Sequence, residues 1–383
     1  MPLSLKVSTF AKPLGVLIGL LAALAVLPFF KSPPHQEDPT AVGPLAADCD
    51  GALRDIVVHY KIEEAEVLER PYRDFLPRLS DSVNVFVVCP DNAAFLDLQR
   101  RMGTLQCRLT PVIVDHPMTA WARDRWIALQ PSVRGGKVTA LVSPRGEMGA
   151  DNWPERKGDE NAGDDLARAI GTSVVSLRSD LYFDGGDFVA DSETAFVTPN
   201  VLKRNLGQMV QSREELVQRL EKLVGRKVLL LDRAPDHHAC MFMMPVGSRT
   251  VIVADPRAAS KMLTPEQVAT LPLPKGADFS EATFARFDAV AEQCAKEGYK
   301  VVRMPLAPAP DGRTFLAGLN VILDQQGSKR IAYMPTFDNA EVINESSAAV
   351  WRGLGYEVRP VNCTSTYRLF GSLRCLVNVL GRG

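Results

Sequence analysis

FGSLRC, residues 370–375, places the last cysteine of the chain directly before an apolar run at 376–380 that predicts a strand. Cysteine is strongly nucleophilic as an anion and can be activated near neutral pH. Three further motifs precede it: WARDRW at 121–126, FDGGDF at 183–188 and DHHAC at 236–240. Carboxylates, a histidine pair and a near-terminal cysteine therefore follow one another along the chain. This order predicts a site built around a cysteine nucleophile.

These side chains fit the hydrolysis of a guanidinium group. A guanidinium is a planar, delocalised cation, and carboxylates hold its plane by accepting its N–H groups in bidentate fashion. A thiolate then adds to the central carbon, while a positioned histidine protonates the departing amine and later activates water. Two carboxylates, one histidine and one cysteine are the minimum set for this chemistry.

Each candidate residue also has a purely structural interpretation. Asp124 alone fits a surface ion pair with a neighbouring arginine, and Asp184 with Asp187 fits an ordinary Asp-Gly-Gly turn. The histidine pair at 237–238 fits loop histidines bonded to the backbone, and Cys375 fits an inert buried thiol. The combination, in this order, favours a functional site over the separate structural interpretations.

Together the four motifs resemble those of the guanidino-group-modifying enzymes of the pentein superfamily, which include agmatine deiminases, bacterial peptidyl-arginine deiminases and dimethylarginine hydrolases. The resemblance spans roughly residues 80 to 380. It implies an α/β fold, a five-bladed propeller of ββαβ units with the active site in its central channel. It also implies that the site uses no cofactor and no metal.

The resemblance assigns roles residue by residue. It implies Cys375 as the nucleophile and His238 as the catalytic histidine. It implies that the following residues bind the substrate: Trp121, Asp124, Asp184, Asp187 and Asn320. Asp124 matches the carboxylate that grips the guanidinium, and Asp184 stands where several members have Glu or Asp before Gly-Gly. Asn320 falls in a region where relatives contact the substrate backbone.

Two positions depart from the pattern of the deiminases. Cys240 stands where they carry the Asp of His-x-Asp, the second guanidinium clamp, and a thiol is a poor acceptor. The Asp-Gly-Gly-Asp turn is closer to the dimethylarginine hydrolase pattern, so Asp184 or Asp187 is expected to compensate. Arg374 stands before Cys375 where agmatine deiminases have His. A cation there would lower the pKa of the thiol and would also repel a cationic substrate.

The N-terminus differs in kind from the rest of the chain. An apolar run at 14–30, with Lys6 and Lys12 before it and Lys31 after it, predicts a signal peptide or membrane anchor over residues 1–31. The greater charge before the run and the lack of a clear cleavage site favour an uncleaved anchor. A Pro-rich linker is predicted over 32–47 and a catalytic domain over 48–383. The protein is therefore expected to be exported, and to be membrane-anchored, periplasmic or secreted.

Composition excludes some classes of protein. The formal net charge is −1, which gives no basic footprint for nucleic acid. Seven cysteines leave at least one unpaired if all bonding is within the chain, and their spacing shows no zinc pattern. Helices are predicted over 92–102, 160–170, 212–224, 279–298 and 339–353, with short apolar strands between them.

The predicted function is an exported, cysteine-dependent hydrolase of the deiminase type, acting on carbon–nitrogen bonds of arginine-like or peptidyl-arginine substrates through a thiouronium intermediate. Its product would be a citrulline-like ureido group. Its partners would be a small guanidino compound or an arginine-containing peptide, with membrane contact through the N-terminal segment; homo-oligomerisation stays open. One alternative is an amidinotransferase, which uses the same intermediate with another acceptor. A second is a non-catalytic pentein that binds a guanidino ligand, which Cys240 favours. A papain-like protease is disfavoured because its Cys normally precedes its His.

Overall fold

The computed structural model describes residues 42–131, 138–146 and 153–383. The predicted signal or anchor at 1–31, and the linker up to residue 41, lie outside the described residues. Within the predicted linker, Val42–Leu45 is a strand that pairs with residues 129–131, so the folded unit begins before residue 48. None of the described helices combines the length and the apolar character that crossing a bilayer requires.

Short strands and helices alternate along the described chain. The strands are β1 (Val42–Leu45), β2 (Leu53–His59), β3 (Asn84–Cys89), β4 (Arg108–Ile113), β5 (Ile127–Pro131), β6 (Thr139–Ser143), β7 (Val174–Arg178), β8 (Phe188–Ala190), β9 (Thr194–Val197), β10 (Lys227–Leu230), β11 (Met243–Gly247), β12 (Thr250–Asp255), β13 (Lys300–Pro305), β14 (Ala307–Pro308), β15 (Phe315–Leu316), β16 (Ile322–Gln326), β17 (Lys329–Thr336), β18 (Tyr356–Asn362) and β19 (Val377–Arg382). The helices are α1 (Ala65–Phe75), α2 (Asn92–Met102), α3 (Pro154–Asp159), α4 (Ala162–Ile170), α5 (Pro199–Asn205), α6 (Arg213–Val224), α7 (Pro256–Met262), α8 (Pro265–Thr270), α9 (Glu281–Lys296), α10 (Glu341–Gly353) and α11 (Leu373–Leu376).

One strand pattern recurs in the mixed α/β fold. An antiparallel pair is followed by one or more helices and then by a strand parallel to the second member of the pair. The sheets with this pattern are β5-β6-β7, β8-β9-β10, β11-β12-β13, β16-β17-β18 and β19-β2-β3. The helices are needed because a parallel connection requires a long crossover. Strand β1 extends the first sheet, β4 extends the last, and β14 and β15 form a separate two-stranded sheet.

This pattern positions the sequence motifs. Five motif segments each lie just before the first strand of one antiparallel pair, namely β5, β8, β11, β16 and β19. They are 121–126, 183–187, 237–241, 318–320, which contains Asn320, and 372–375. The last of these strands, β19, pairs with β2 near the start of the described chain. That pairing connects residues 372–375, the cysteine segment, to the first part of the fold.

Helix ends follow local chemistry. The Ser212 hydroxyl accepts the N–H of Glu215 at 3.1 Å, and a cap of this kind stabilises a helix by about 1 kcal/mol. Gly225 ends α6 in the left-handed region, at φ 59°. The core lies between helices and sheets: Leu68 and Phe75 on one face of α1 share an apolar cluster with Val87 of β3.

Candidate active site

A cavity of about 540 Å³ opens among the motif segments. The predicted site residues that line it are Trp121, Asp124, Asp184, Asp187, His238 and Cys375. Asn320 is not among its described lining residues, and neither are Cys240 and Arg374. The fold therefore brings both predicted catalytic residues and four of the five predicted binding residues to one concave surface.

His238 lies between two carboxylates. Its Nδ1 is 3.8 Å from Asp124 Oδ1, and its Nε2 is 3.6 Å from Asp184 Oδ2. Burial disfavours the charged imidazolium, but the charges of Asp124 and Asp184 outweigh burial and raise the pKa of His238 well above its usual range. These carboxylates therefore favour the imidazolium of His238, which is the form that donates a proton.

Cys375 is a buried thiol with several polar neighbours. Its Sγ lies 3.5 Å from Asn320 Nδ2 and 3.9 Å from Met241 Sδ. A hydrogen bond from Cys240, together with the hydrogen bond and charge of His238, outweighs burial and holds the pKa of Cys375 well below its usual range. The pKa of Cys240 is raised well above its usual range by its interaction with Cys375 and by burial.

The position of Asn320 differs from the one expected for a residue that contacts the substrate. The side chain is fully buried, and its Oδ1 accepts both the Ser372 hydroxyl and the Arg374 N–H at 2.8 Å. Its Nδ2 faces the sulfur of Cys240 at 3.2 Å and that of Cys375 at 3.5 Å. Both ends of the amide are thus engaged by the protein, and they hold the cysteine segment in place.

His237 links the two segments that carry His238 and Cys375. Its Nδ1 accepts the backbone N–H of His238 at 2.7 Å, which leaves Nε2 to donate to the Phe370 carbonyl, also at 2.7 Å. Burial and the nearby charge of His238 lower the pKa of His237 to about 4, so it is neutral and keeps this tautomer. Of the histidine pair, His238 therefore faces the carboxylates and His237 fixes the backbone.

Close packing explains why residue 371, four positions before Cys375, is a glycine. A Cβ on Gly371 would lie 2.6 Å from the Trp121 indole, so only glycine lets the cysteine segment rest on that ring.

Asp187 Oδ1 accepts the Thr198 hydroxyl at 2.6 Å, and its Oδ2 accepts the Asp184 N–H at 2.8 Å and Arg204. Asp187 is fully buried, and both its oxygens are engaged by other groups of the protein. Of the two aspartates expected to compensate for Cys240, Asp184 is therefore the one next to His238.

Three arginines that the sequence analysis did not single out surround the carboxylates. Asp184 Oδ1 accepts Arg125 at 2.9 Å and Arg156 at 2.8 Å, while its Oδ2 accepts Arg204 at 3.0 Å. Asp124 Oδ2 accepts Arg156 at 2.9 Å. Burial opposes ionisation of Asp184, yet Arg204, His238 and Arg156 hold its pKa well below the usual range. Arg125 lies within the WARDRW motif, whereas nothing local in the sequence marks Arg156 or Arg204.

Arg374 does not act on the cavity as the sequence suggested. Its guanidinium is buried and donates to Asp48 Oδ1 at 2.8 Å and to the Val377 carbonyl at 2.7 Å. The charge is thus compensated by Asp48, behind the cysteine segment. The expected repulsion of a cationic substrate by Arg374 has no structural basis here.

Two further observations concern the cysteines and the possible metal ligands of the described residues. All seven cysteines lie there, and all are free thiols. No group of three or more His, Cys, Asp or Glu side chains in that part of the chain is arranged to hold a metal ion.

Comparisons place this architecture among known structures. No protein-family model matches the sequence, and no curated protein matches it. The C. jejuni agmatine deiminase superposes with a TM-score of 0.64 at 14% identity, covering 89% of this chain and 96% of that one. A Porphyromonas gingivalis protein assigned as an arginine deiminase gives 0.63 at 19%, covering 88% and 97%. An Enterococcus faecalis agmatine deiminase gives 0.62 at 13%, covering 90% and 97%.

Likeness at these identities establishes the fold. The chain has the mixed α/β pentein fold that its motifs predict, over nearly the full length of each of these structures.

Proposed function

We propose that this chain is a cysteine-dependent hydrolase of the deiminase type, acting on the guanidino group of an arginine-like or peptidyl-arginine substrate. The observation that carries the proposal is the position of His238: it shares one cavity with Cys375 and lies within 4 Å of both Asp124 and Asp184. The agmatine deiminases and the arginine deiminase assignment among the structural neighbours support the same class of reaction.

In the proposed mechanism the Cys375 thiolate adds to the guanidinium carbon and forms a C–S bond. The C–N bond to one amino group then breaks, and His238 donates the proton with which that group leaves as ammonia. The remaining species is a thiouronium ester on Cys375. Water, deprotonated by His238, adds to the same carbon, and the C–S bond breaks to release a ureido product and the thiolate. The hydroxyl proton of that adduct is released to solvent, where it protonates the ammonia, so one water is consumed and one ammonium ion is formed.

Substrate binding in this proposal uses the carboxylates and the rim of the cavity. Asp124 Oδ1 is buried and has no hydrogen-bond partner among the described residues, so it offers an acceptor to a guanidinium N–H. Trp121, Trp153 and Phe370 line the same cavity and provide apolar surface for the chain that carries the guanidino group. A cavity of about 540 Å³ has room for more than the guanidinium itself.

The finer architecture and the cellular location belong to the same proposal. Five sheets share one strand pattern, and in each of them the first strand of the antiparallel pair follows a motif segment. This repetition supports a five-bladed propeller with the site in its central channel. The Lys-flanked apolar run at 14–30 supports export, with residues 1–31 as a signal peptide or membrane anchor and the catalytic domain outside the cytosol.

The proposal is tested with the full-length protein and a panel of agmatine, free arginine, methylated arginines and arginine-containing peptides. Ammonia and ureido product are measured together, beside Cys375→Ser and His238→Asn. Release from at least one substrate that depends on Cys375 is expected. A folded protein that releases neither product from any of them would contradict the proposal.

A second candidate function, binding a guanidino ligand without turnover, is favoured by one observation. The carboxylate oxygens Asp124 Oδ2 and Asp184 Oδ1 already accept the guanidinium of Arg156. Saturable binding of an arginine-containing ligand, unaccompanied by product, would establish that candidate instead.

A further inference from the structure

Arg156 places a guanidinium of the protein itself where a substrate guanidinium is expected. Its Nη1 donates to Asp124 Oδ2 at 2.9 Å and its Nη2 to Asp184 Oδ1 at 2.8 Å, so one planar group bridges the two carboxylates beside His238. Arg156 lines the same cavity as Cys375 and is only 8% exposed. The contact is a two-point pairing of a guanidinium with carboxylates, the geometry by which such groups are recognised.

The helix that carries Arg156 is fixed to the body of the protein. At its end, the Asp159 carboxylate accepts the Thr119 N–H at 3.0 Å and the Thr119 hydroxyl at 2.6 Å. Gly158 approaches the Pro117 carbonyl so closely that a Cβ would lie 1.7 Å from its oxygen. The guanidinium itself lies over the Trp153 ring, at 5.6 Å from its centre. The position of Arg156 is therefore fixed in two ways. Its backbone is held by the contacts of Gly158 and Asp159, and its guanidinium packs on Trp153.

We infer that Arg156 is a specificity-determining residue that occupies the guanidinium clamp, so that a substrate guanidinium must displace it in order to pair with both Asp124 and Asp184. The inference rests on the proposed function, because it concerns the ligand of the same site. The substrate class that follows is a guanidino group attached to a larger body, such as an arginine side chain in a peptide. Bare guanidines lack the additional contacts with the cavity rim that offset the displacement.

The displacement has a defined signature. Every ligand that takes the two carboxylates must break the same contacts of Arg156, so removing that guanidinium should tighten binding of all of them by a similar factor. A neutral ureido compound gains no ion pair from the freed carboxylates and should respond much less. A general loosening of the cavity would not distinguish charged from neutral ligands.

The test uses full-length protein with Cys375→Ser, so that no turnover occurs, and titration calorimetry with methylguanidinium, agmatine and arginine amide, with methylurea as the neutral probe. Arg156→Met is compared with Arg156→Lys, which keeps a cation, and with the matched control Arg168→Met. Arg168 also pairs with a carboxylate, Asp165 Oδ1 at 2.7 Å, but its side chain is 76% exposed. Arg156→Met is expected to tighten the binding of all three guanidinium ligands by about tenfold or more, because they no longer have to break a buried ion pair in order to bind. Arg168→Met and the methylurea titrations are expected to change by less than about twofold.

Two outcomes would overturn the inference. One is a folded Arg156→Met protein that binds the guanidinium ligands no more tightly than the parent. The other is equal tightening of methylurea, which would indicate a loosened cavity. If Arg156→Met does not fold, Arg156→Gly is melted with increasing methylguanidinium, which should fill the gap and raise the melting temperature in a saturable way. Absence of that rise would equally contradict the inference.

These results separate the inference from the function on which it rests. Turnover that depends on Cys375, without tighter binding in Arg156→Met, would leave the hydrolase in place and remove the role of Arg156. Tighter binding in Arg156→Met, without turnover by any form that retains Cys375, would leave Arg156 as the occupant of a guanidinium-binding site and remove the hydrolase.

Discussion

Gly186 packs directly against His238: a Cβ on Gly186 would lie 2.4 Å from Nδ1 of the imidazole. The turn at 184–187 therefore does two things at once. It presents the Asp184 carboxylate to one nitrogen of His238 at 3.6 Å, and it leaves room for the ring to lie between Asp184 and Asp124. The second glycine of the Asp-Gly-Gly-Asp motif is thus required by the position of the imidazole.

Gly186→Ala is expected to lower the turnover number by about 100-fold, because the added methyl group must push the imidazole out of place and misplacement by about 1 Å costs about that factor. The loss of folding free energy should be about 1–3 kcal/mol, as for other overpacked sites. Turnover and thermal unfolding of the purified variant are measured together. The control is Gly353→Ala, since a Cβ there meets no atom within 4 Å. Turnover in Gly186→Ala close to that of the control would contradict this account of the turn.

The thiol of Cys375 should react with iodoacetamide at a rate that hardly changes between pH 7 and 9. Its pKa is held well below the usual range by its interaction with Cys240 and by His238, so the rate should already be close to its plateau at pH 7. An ordinary thiol gains close to tenfold in rate for each pH unit below its pKa of about 8.5. Peptide mapping of the modified protein assigns the rate to residue 375.

Cys240→Ala removes the largest of the causes that lower the pKa of Cys375, so its profile should move to higher pH. His238→Asn should move it in the same direction by removing the imidazolium. A rate at Cys375 that climbs about tenfold per pH unit in the wild-type protein would show that the thiol is ordinary.

Asp159 makes the stability of the protein depend on pH. Burial is the main cause that raises its pKa from 3.8 to about 7, although hydrogen bonds from Thr119 oppose the rise. Between these two values the unfolded chain has released the proton while the folded chain still holds it. The free energy of unfolding contributed by this group therefore falls as the pH rises from about 4 to about 7, and it is level above that.

Asp159→Asn keeps an acceptor for the Thr119 N–H and removes the titration. Relative to the wild-type protein, the variant should gain stability steadily between pH 4 and pH 7, as measured by thermal melts across that interval. A constant difference between the two proteins at all pH values would mean that Asp159 does not titrate in this range.

Local chemistry made much of the fold predictable. Helix α2 spans 92–102 as predicted, with Asp91 capping its start through the Ala94 N–H and Gly103 ending it at φ 68°. Helix α1 was missed because Pro71 lies inside it, and tertiary packing of its buried face outweighs that residue's low helix propensity. The short helices α3, α5, α7 and α8 were also missed. Each begins with a proline, a start signature that the sequence does contain.

The site was predictable in its motif residues and unpredictable in its pairings. Asp124, Asp184, His238 and Cys375 are each marked by a motif with a strand after it, and the fold brings those motifs together. What Asn320 contacts depends on the path of the cysteine segment 372–375, which no local pattern determines. Arg156 meets its carboxylates from another part of the chain, across 32 and 28 residues. Such ion pairs are set by tertiary approach, so a sequence shows only that the charges exist.

The central claim is that Cys375 forms a covalent bond to the carbon of a guanidino group. The most direct test is to mix excess full-length protein with an arginine-containing peptide or agmatine, quench in acid within the turnover time, and measure the intact mass. The account predicts a species heavier by the substrate less one ammonia, mapped to residue 375 and absent from Cys375→Ser. Ureido product formed by Cys375→Ser at the wild-type rate would contradict it.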